Sequence, residues 1–226
     1  MNSLVIANRL EANSGTLSEV LADLGFSLIR VMREDFERSI DPVRFDLVVH
    51  LGSSWSLAGL NPEHLPLPVA NEFQTMRDAL DAGVPVIGIC FGAQLMSLAF
   101  GGTVKKNLKP EIGWTDVRSS KNEVHLGGRW MQWHFDGIFG VPSSARIAEN
   151  ESGTQGIKIG RALGVQFHPE ANEEQIRDWI DNGGRDELLQ SKVCPDELIE
   201  ITKLESGKSE SRFKALMEAF FDGSLK

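Results

Sequence analysis

The sequence predicts an α/β fold: a mostly parallel sheet with helices on both faces, an antiparallel extension and C-terminal helices. Three observations predict it. Short apolar, β-branched runs alternate with helical stretches over the first hundred residues, the rhythm of a parallel sheet covered on both sides. Past Gly101 and Gly102 the runs shorten and turns separate them. Beyond Glu170 helical spacing takes over.

In chain order, residues 4–7 read as a first buried strand. Residues 16–24 form an amphipathic helix closed by Gly25, which suits a C-terminal cap. Strands follow at 26–32 and 45–50. A proline-rich connection, 61–68, leads to a helix over 69–82 that Gly83 ends. The apolar run 84–89 is the pattern of a fully buried strand, and from Ala93 onward Leu95, Met96, Leu98 and Ala99 recur at helical spacing. The strands expected in the extension cover 103–106, 113–118, 129–133, 145–149 and 154–159, with a last strand at 162–167. Helices are expected at 173–180, 186–190, 195–204 and 212–221. The polar, glycine-containing residues 205–211 read as a solvated loop.

Between strand and helix stands Gly88-Ile89-Cys90-Phe91-Gly92, the nucleophile-elbow pattern with cysteine in place of serine. Its glycines carry no Cβ, so the chain can turn sharply and lift the Cys90 side chain from the strand end. The next helix points its N-terminus at the sulfur and favours the thiolate. A lone cysteine is more often a small core hydrophobe, so the elbow alone decides nothing. Gly164-Val165-Gln166-Phe167-His168-Pro169-Glu170 decides it. A thiol nucleophile needs a base and the base an orienting acceptor. One strand end supplies His168 and, two residues on, Glu170. Cys90, the Gly52 loop and His168 all fall at strand carboxyl ends, where ligands of such sheets gather.

The elbow together with Gln166-Phe167-His168-Pro169-Glu170 resembles the class I, or triad, glutamine amidotransferases. The chain is most similar to the glutaminase domain of GMP synthase and its stand-alone relatives, from about residue 46 to residue 170. The resemblance implies a three-layer flavodoxin-like fold and a Cys90–His168–Glu170 triad. It implies oxyanion donors at the backbone of Phe91 and Gly52, and a glutamyl pocket drawing on Ser54, Gln94, Trp133, Phe135 and Asp136. Gln94 would help to hold the α-carboxylate end and Asp136 would face the α-ammonium group. Two departures stand out. Gly52-Ser53-Ser54-Trp55 replaces the family's Gly-Gly-Pro or Gly-Pro-Gly loop, and Phe135 stands where the family has glycine. Trp55 reads as a surface-capping aromatic before it reads as a pocket wall. Trp55 and Phe135 together would suit an apolar leaving group.

The implied activity is hydrolysis of the γ-glutamyl amide bond of glutamine or of a γ-glutamyl-amine conjugate through a thioester, the partner being that small molecule. One alternative is a glutaminase component that feeds ammonia to a separate synthase or ligase partner. The other is a non-catalytic regulatory protein on the same fold. No Ser-Gly-Gly-Val-Asp-Ser loop for ATP pyrophosphate chemistry occurs in the 226 residues, so acceptor amidation would need another chain.

Composition bounds these readings. The chain is 41% hydrophobic and 24% charged with net charge −9, and it has no basic stripe. Nucleic acid and anionic membranes are therefore not expected partners. Cys90 and Cys194 form no Cys-x-x-Cys pair, which fits a reducing, cytoplasmic setting without a thiolate metal site. His134 with Asp136 and His168 with Glu170 are conceivable ligand pairs, but such a site would leave the elbow without a purpose. No metal or cofactor is expected. His50, His64 and His125 lie outside the motifs and read as structural or exposed. The N-terminal apolar run is too short for a signal peptide, and no run approaches the ~20 residues of a membrane span. The expectation is a single domain over 1–226, with a catalytic core to about 180 and a helical tail from about 181.

Overall fold

The computed structural model describes residues 1–120 and 124–223. Its parallel half holds β1 (Asn2–Ala7), β2 (Ser27–Met32), β3 (Leu47–His50), β4 (Val86–Ile89) and β9 (Ala162–Val165), in the order β2-β1-β3-β4-β9. Side-chain alternation sorts these strands onto two faces. Val5, Leu47, Val49, Ile87 and Ile89 face one core with Leu17 and Leu21 of α1 (Leu17–Asp23) and Phe213 and Leu216 of α6 (Pro195–Asp222). Leu4, Ile6, Val48 and Val86 face the other, against Phe73 and Met76 of α2 (Leu67–Asp81) and Leu95 and Met96 of α3 (Phe91–Ala99). Both faces are covered, as the apolar runs predict.

The remaining strands are β5 (Thr103–Ser119), β6 (Gly128–Phe139), β7 (Arg146–Asn150) and β8 (Gly153–Ile159). They continue the sheet from β9 in the order β8-β6-β5-β7, and β7 pairs back onto β8. This half therefore closes on itself. The expectation of a mostly parallel sheet is corrected here. Among the described residues four strand pairings are parallel and five antiparallel. The physical reason is connection length: links as short as the one from β7 to β8 can join only antiparallel neighbours.

Two more expectations change. The separate strands at 103–106 and 113–118 are one strand with a register shift between Lys106 and Glu111. The solvated loop at 205–211 is helix, part of the unbroken 28-residue α6. Ser209 is fully buried there and its Oγ donates to the Pro169 carbonyl at 3.4 Å, so the segment is held by packing. Helices α4 (Glu173–Trp179) and α5 (Arg185–Gln190) flank a kinked turn, Ile180–Gly184, and build a third core with Trp114, Met131 and Leu198. No helix among the described residues is long and apolar enough to cross a membrane.

Candidate active site

The elbow is as tight as its glycines suggest. A Cβ on Gly88 would lie 2.5 Å from the Gly92 backbone, and one on Gly92 would lie 2.0 Å from the His50 carbonyl oxygen. Strand β4, helix α3 and the end of β3 thus meet with no room for side chains. Cys90, between them, has φ 52° and ψ −104°, a strained conformation for a residue with a Cβ, costing on the order of 1–3 kcal/mol. Such strain persists where surrounding structure enforces it, here by the Cys90 N–H bonding to the Val165 carbonyl at 2.8 Å.

His168 follows β9, its N–H bonded to the Met131 carbonyl of β6 at 2.8 Å. The His168 Nδ1 lies 2.8 Å from Glu170 Oε1, both side chains buried. Burial pushes the imidazole down, but the Glu170 carboxylate, then the Cys90 sulfur, outweigh it and raise His168 to about 10. The Glu170 backbone is clamped as well. Its carbonyl accepts from the Thr16 N–H at 2.9 Å, and a Cβ on Gly15, at φ +52°, would fall 2.0 Å from that oxygen. His168 and Glu170 are therefore gripped from β6 and from the loop before α1.

Gly52 abuts both: a Cβ there would come 2.8 Å from His168 Cε1 and 3.6 Å from the Cys90 Cβ. Phe91 opens α3, where first-turn N–H groups have no acceptor within the helix. Cys90, His168, Glu170, Gly52, Ser54, Gln94, Trp133, Phe135 and Asp136 all line one cavity of about 250 Å³. Of the site residues expected from sequence, Phe91 alone does not line it; its ring is buried beside Arg33. Trp55, 37% exposed, lines the mouth, so it is at once a surface residue and a wall.

Within the cavity, Gln94 is buried and gives its amide to the Asp136 carbonyl at 3.2 Å and to Gln166 Oε1 at 3.3 Å. Asp136 accepts from Ser56 Oγ at 2.6 Å and faces Lys106 Nζ at 2.7 Å, its direct cross-strand partner. Ser54 is exposed, with its N–H bonded to Glu11 at 2.8 Å. Sequence reasoning missed several residues here. Gln166 donates to the Cys90 sulfur at 3.6 Å; it stands inside the motif that carries His168, yet its place beside the sulfur appears only on folding. Lys106 follows from strand register, and Glu11 from a loop with no motif. Trp179 meets the His168 ring edge-on at 4.7 Å between centroids, from a helix with no spacing link to it.

The three remaining histidines divide. His50 is fully buried against Glu72 at 2.9 Å, His64 is exposed beside Asn61 at 2.7 Å, and His125 is half-buried.

Comparison with known proteins bears on this geometry. Residues 60–183 match the family described as glutamine amidotransferase class-I. A GMP synthase [glutamine-hydrolyzing] of Aeropyrum pernix is 31% identical over 141 residues, which is 57% of this chain and 28% of that protein. The chain thus spans little more than a quarter of that relative. One GMP synthase [glutamine-hydrolyzing] subunit of Sulfolobus acidocaldarius is 29% identical over 170 residues, 69% of this chain and 84% of the relative. The solved structure of a glutamine amidotransferase from Thermotoga maritima superposes with TM-score 0.86 at 26% identity, covering 97% of both chains.

Proposed function

This chain belongs to the class I glutamine amidotransferase family, and on that premise we propose that it hydrolyses a γ-glutamyl amide with Cys90, His168 and Glu170 as its triad. The observation that carries the reading is the meeting of a strained cysteine, a buried histidine raised to about 10 and an orienting carboxylate at one cavity. In this reading the Cys90 sulfur attacks the amide carbon, and the carbonyl oxygen becomes an oxyanion facing the Gly52 and Phe91 N–H groups. His168 holds the thiol proton and delivers it to the nitrogen as the C–N bond breaks. Water then adds to the γ-glutamyl thioester with His168 as base, releasing glutamate and restoring the thiol. Glu170 keeps the imidazole oriented throughout.

The glutamyl end is an amino-acid zwitterion, and the cavity offers both counter-charges. Asp136 would take the α-ammonium group and Lys106 the α-carboxylate, with Gln94 fixing the Asp136 backbone. Trp133, Phe135 and Ser54 complete the lining. Trp55 and Trp179 add aromatic surface to the cavity, which supports an amine with an apolar body. Residues 1–226 are read as one domain, supported by the packing of Phe213 and Leu216, from beyond residue 180, against the parallel strands.

The Sulfolobus relative, which carries the name of a synthase component and is matched over 84% of its length, supports a second reading in which ammonia passes to a separate synthase. A turnover screen decides between them. Purified protein is given glutamine and a panel of alkyl and aryl γ-glutamyl amides, with Cys90→Ala as control and free glutamate as readout. Fast release from an amine conjugate is the expected result. Slow cleavage of glutamine alone moves the assignment to the second reading, and turnover that survives Cys90→Ala overturns both.

A further inference from the structure

A peptide N–H points where its peptide plane points. The plane that carries the Gly52 N–H carries the Leu51 carbonyl on its opposite side, because the bond is planar and trans. That carbonyl accepts from Nη2 of Arg33 at 3.1 Å. Arg33 is fully buried, and the rest of its fork is also engaged. It binds both oxygens of Glu72, Nη2 at 3.0 Å, and Nη1 binds the Asn8 side chain. Its guanidinium carbon lies 4.5 Å from the centre of the Phe91 ring. Glu72 also accepts from His50 Nδ1 at 2.9 Å, and the His50 carbonyl is the group against which Gly92 packs.

We propose that Arg33 is a positioning residue of the oxyanion hole: one buried guanidinium fixes the peptide that presents the Gly52 N–H and the ring of the residue that presents the Phe91 N–H. The inference rests on the assignment of those two N–H groups as oxyanion donors. Stability alone is a poor reason for such a group. A buried ion pair commonly adds nothing over apolar residues of the same volume. What an apolar side chain cannot do is hold the Leu51 carbonyl in one direction. A charged donor on that carbonyl also polarises the peptide and strengthens its N–H as a donor. Preorganised donors of this kind are worth about 100- to 1000-fold in rate each, so loss of aim at one should cost a substantial part of that.

Two variants test it. Arg33→Lys keeps a charge for Glu72 but cannot also reach the Leu51 carbonyl with a planar fork. The double variant Arg33→Met/Glu72→Gln removes both charges and leaves His50 an acceptor, so no lone charge remains buried. Each is assayed for kcat and KM on glutamine and on its γ-thioamide, whose larger, softer sulfur uses an oxyanion hole poorly. Cys90 alkylation by iodoacetamide reports the thiol independently, and cooperative unfolding reports the fold. The expected result is a kcat about 10- to 100-fold lower with KM within about threefold. The oxygen-to-sulfur preference should shrink about tenfold, while alkylation stays near the wild-type rate. A folded double variant with wild-type kcat, or an unchanged oxygen-to-sulfur ratio, overturns this inference alone. Alkylation that falls in step with kcat overturns it too, because Arg33 would then act on the thiol. Wild-type protein that cleaves no γ-glutamyl amide defeats the reading of the site and this inference with it.

Discussion

Two buried histidine–carboxylate pairs stand one strand apart in this molecule and are built almost alike. His168 Nδ1 lies 2.8 Å from Glu170 at the end of β9, and His50 Nδ1 lies 2.9 Å from Glu72 at the end of β3. Their neighbours make them opposite devices. Beside His168 is a sulfur at an open cavity, and the histidine is raised to about 10 despite its burial, by Glu170 first and Cys90 second. Beside Glu72 is Arg33 with no solvent, and the carboxylate is lowered to about 2, against its burial, by Arg33 first and His50 second. In the proposed mechanism the first pair holds a proton ready to move. In the other a charge is pinned so that its surroundings cannot move. The pair geometry alone does not reveal the role; the third group does.

The largest effect falls on the first pair. Cys90→Ala should lower glutamate release by a factor on the order of 10⁵–10⁶, as loss of a triad nucleophile does, with the unfolding midpoint nearly unchanged. Glu170→Gln should cost about 10²–10⁴ in kcat and less stability than removal of Glu72, because His168 can shed its proton where Arg33 cannot; rapid-quench turnover with denaturant melts measures both. Glu72→Ala is the mirror image. It leaves Arg33 buried and unpaired, at a cost of about 3–5 kcal/mol in stability, read from urea unfolding. Should Glu72→Ala spare the fold, or Glu170→Gln collapse it, the contrast between the two pairs fails.

Titration separates them next. Glu72 has its folded value depressed from 4.5 to about 2, so the stability it contributes is present above pH 4.5 and lost as pH falls toward 2. His168 has its folded value raised from 6.5 to about 10, so its contribution is present below pH 6.5 and lost as pH rises through about 10. Acid unfolding should therefore flatten in Arg33→Met/Glu72→Gln, while the alkaline fall in kcat should move to lower pH in Glu170→Gln. Unfolding midpoints and rate profiles from about pH 3 to about pH 10.5 check both signs. Gly52→Ala gives a smaller effect at the junction of the two pairs. Its methyl would meet His168 Cε1 at 2.8 Å, so kcat should drop about tenfold to a hundredfold as the donor is displaced, with the melt shifted by a few degrees at most.

How far the sequence revealed these devices follows from how local each is. The elbow is local: five residues contain the two glycines, the cysteine and the helix start, and the structure gives each glycine a backbone contact that forbids a Cβ. His168 and Glu170 are two residues apart and equally legible. Arg33, Glu72 and His50 come from three elements, and nothing in their spacing announces a contact. The antiparallel half was half-legible. Its strands were found, but their lengths and the closure of β7 onto β8 depend on pairing across the chain. Gln166 lay inside a recognised motif and still escaped, because its place beside Cys90 depends on the parallel register that sets Ile89 against Val165.

The misread segment of α6 supplies the smallest and most local test. Residues 205–211 carry glycine and serines, residues that weaken helices in isolation, and propensity alone makes them a loop. Packing overrides it: Ser209 is buried against the carbonyl of Pro169, the residue between His168 and Glu170. A Cβ on Gly207 would meet nothing within 4 Å. Gly207→Ala should therefore stabilise the protein by about 0.5–1 kcal/mol and leave kcat untouched, whereas a loop at this position would show no such gain. Ser209→Ala should cost about 1 kcal/mol for one buried hydrogen bond, with a slight fall in kcat because the His168–Glu170 turn loses a support on its far side. If Ser209→Ala lowers stability and leaves kcat alone, the turn is held by β6 and the Gly15 loop without help from α6, and the helix belongs with the Arg33 cluster as frame.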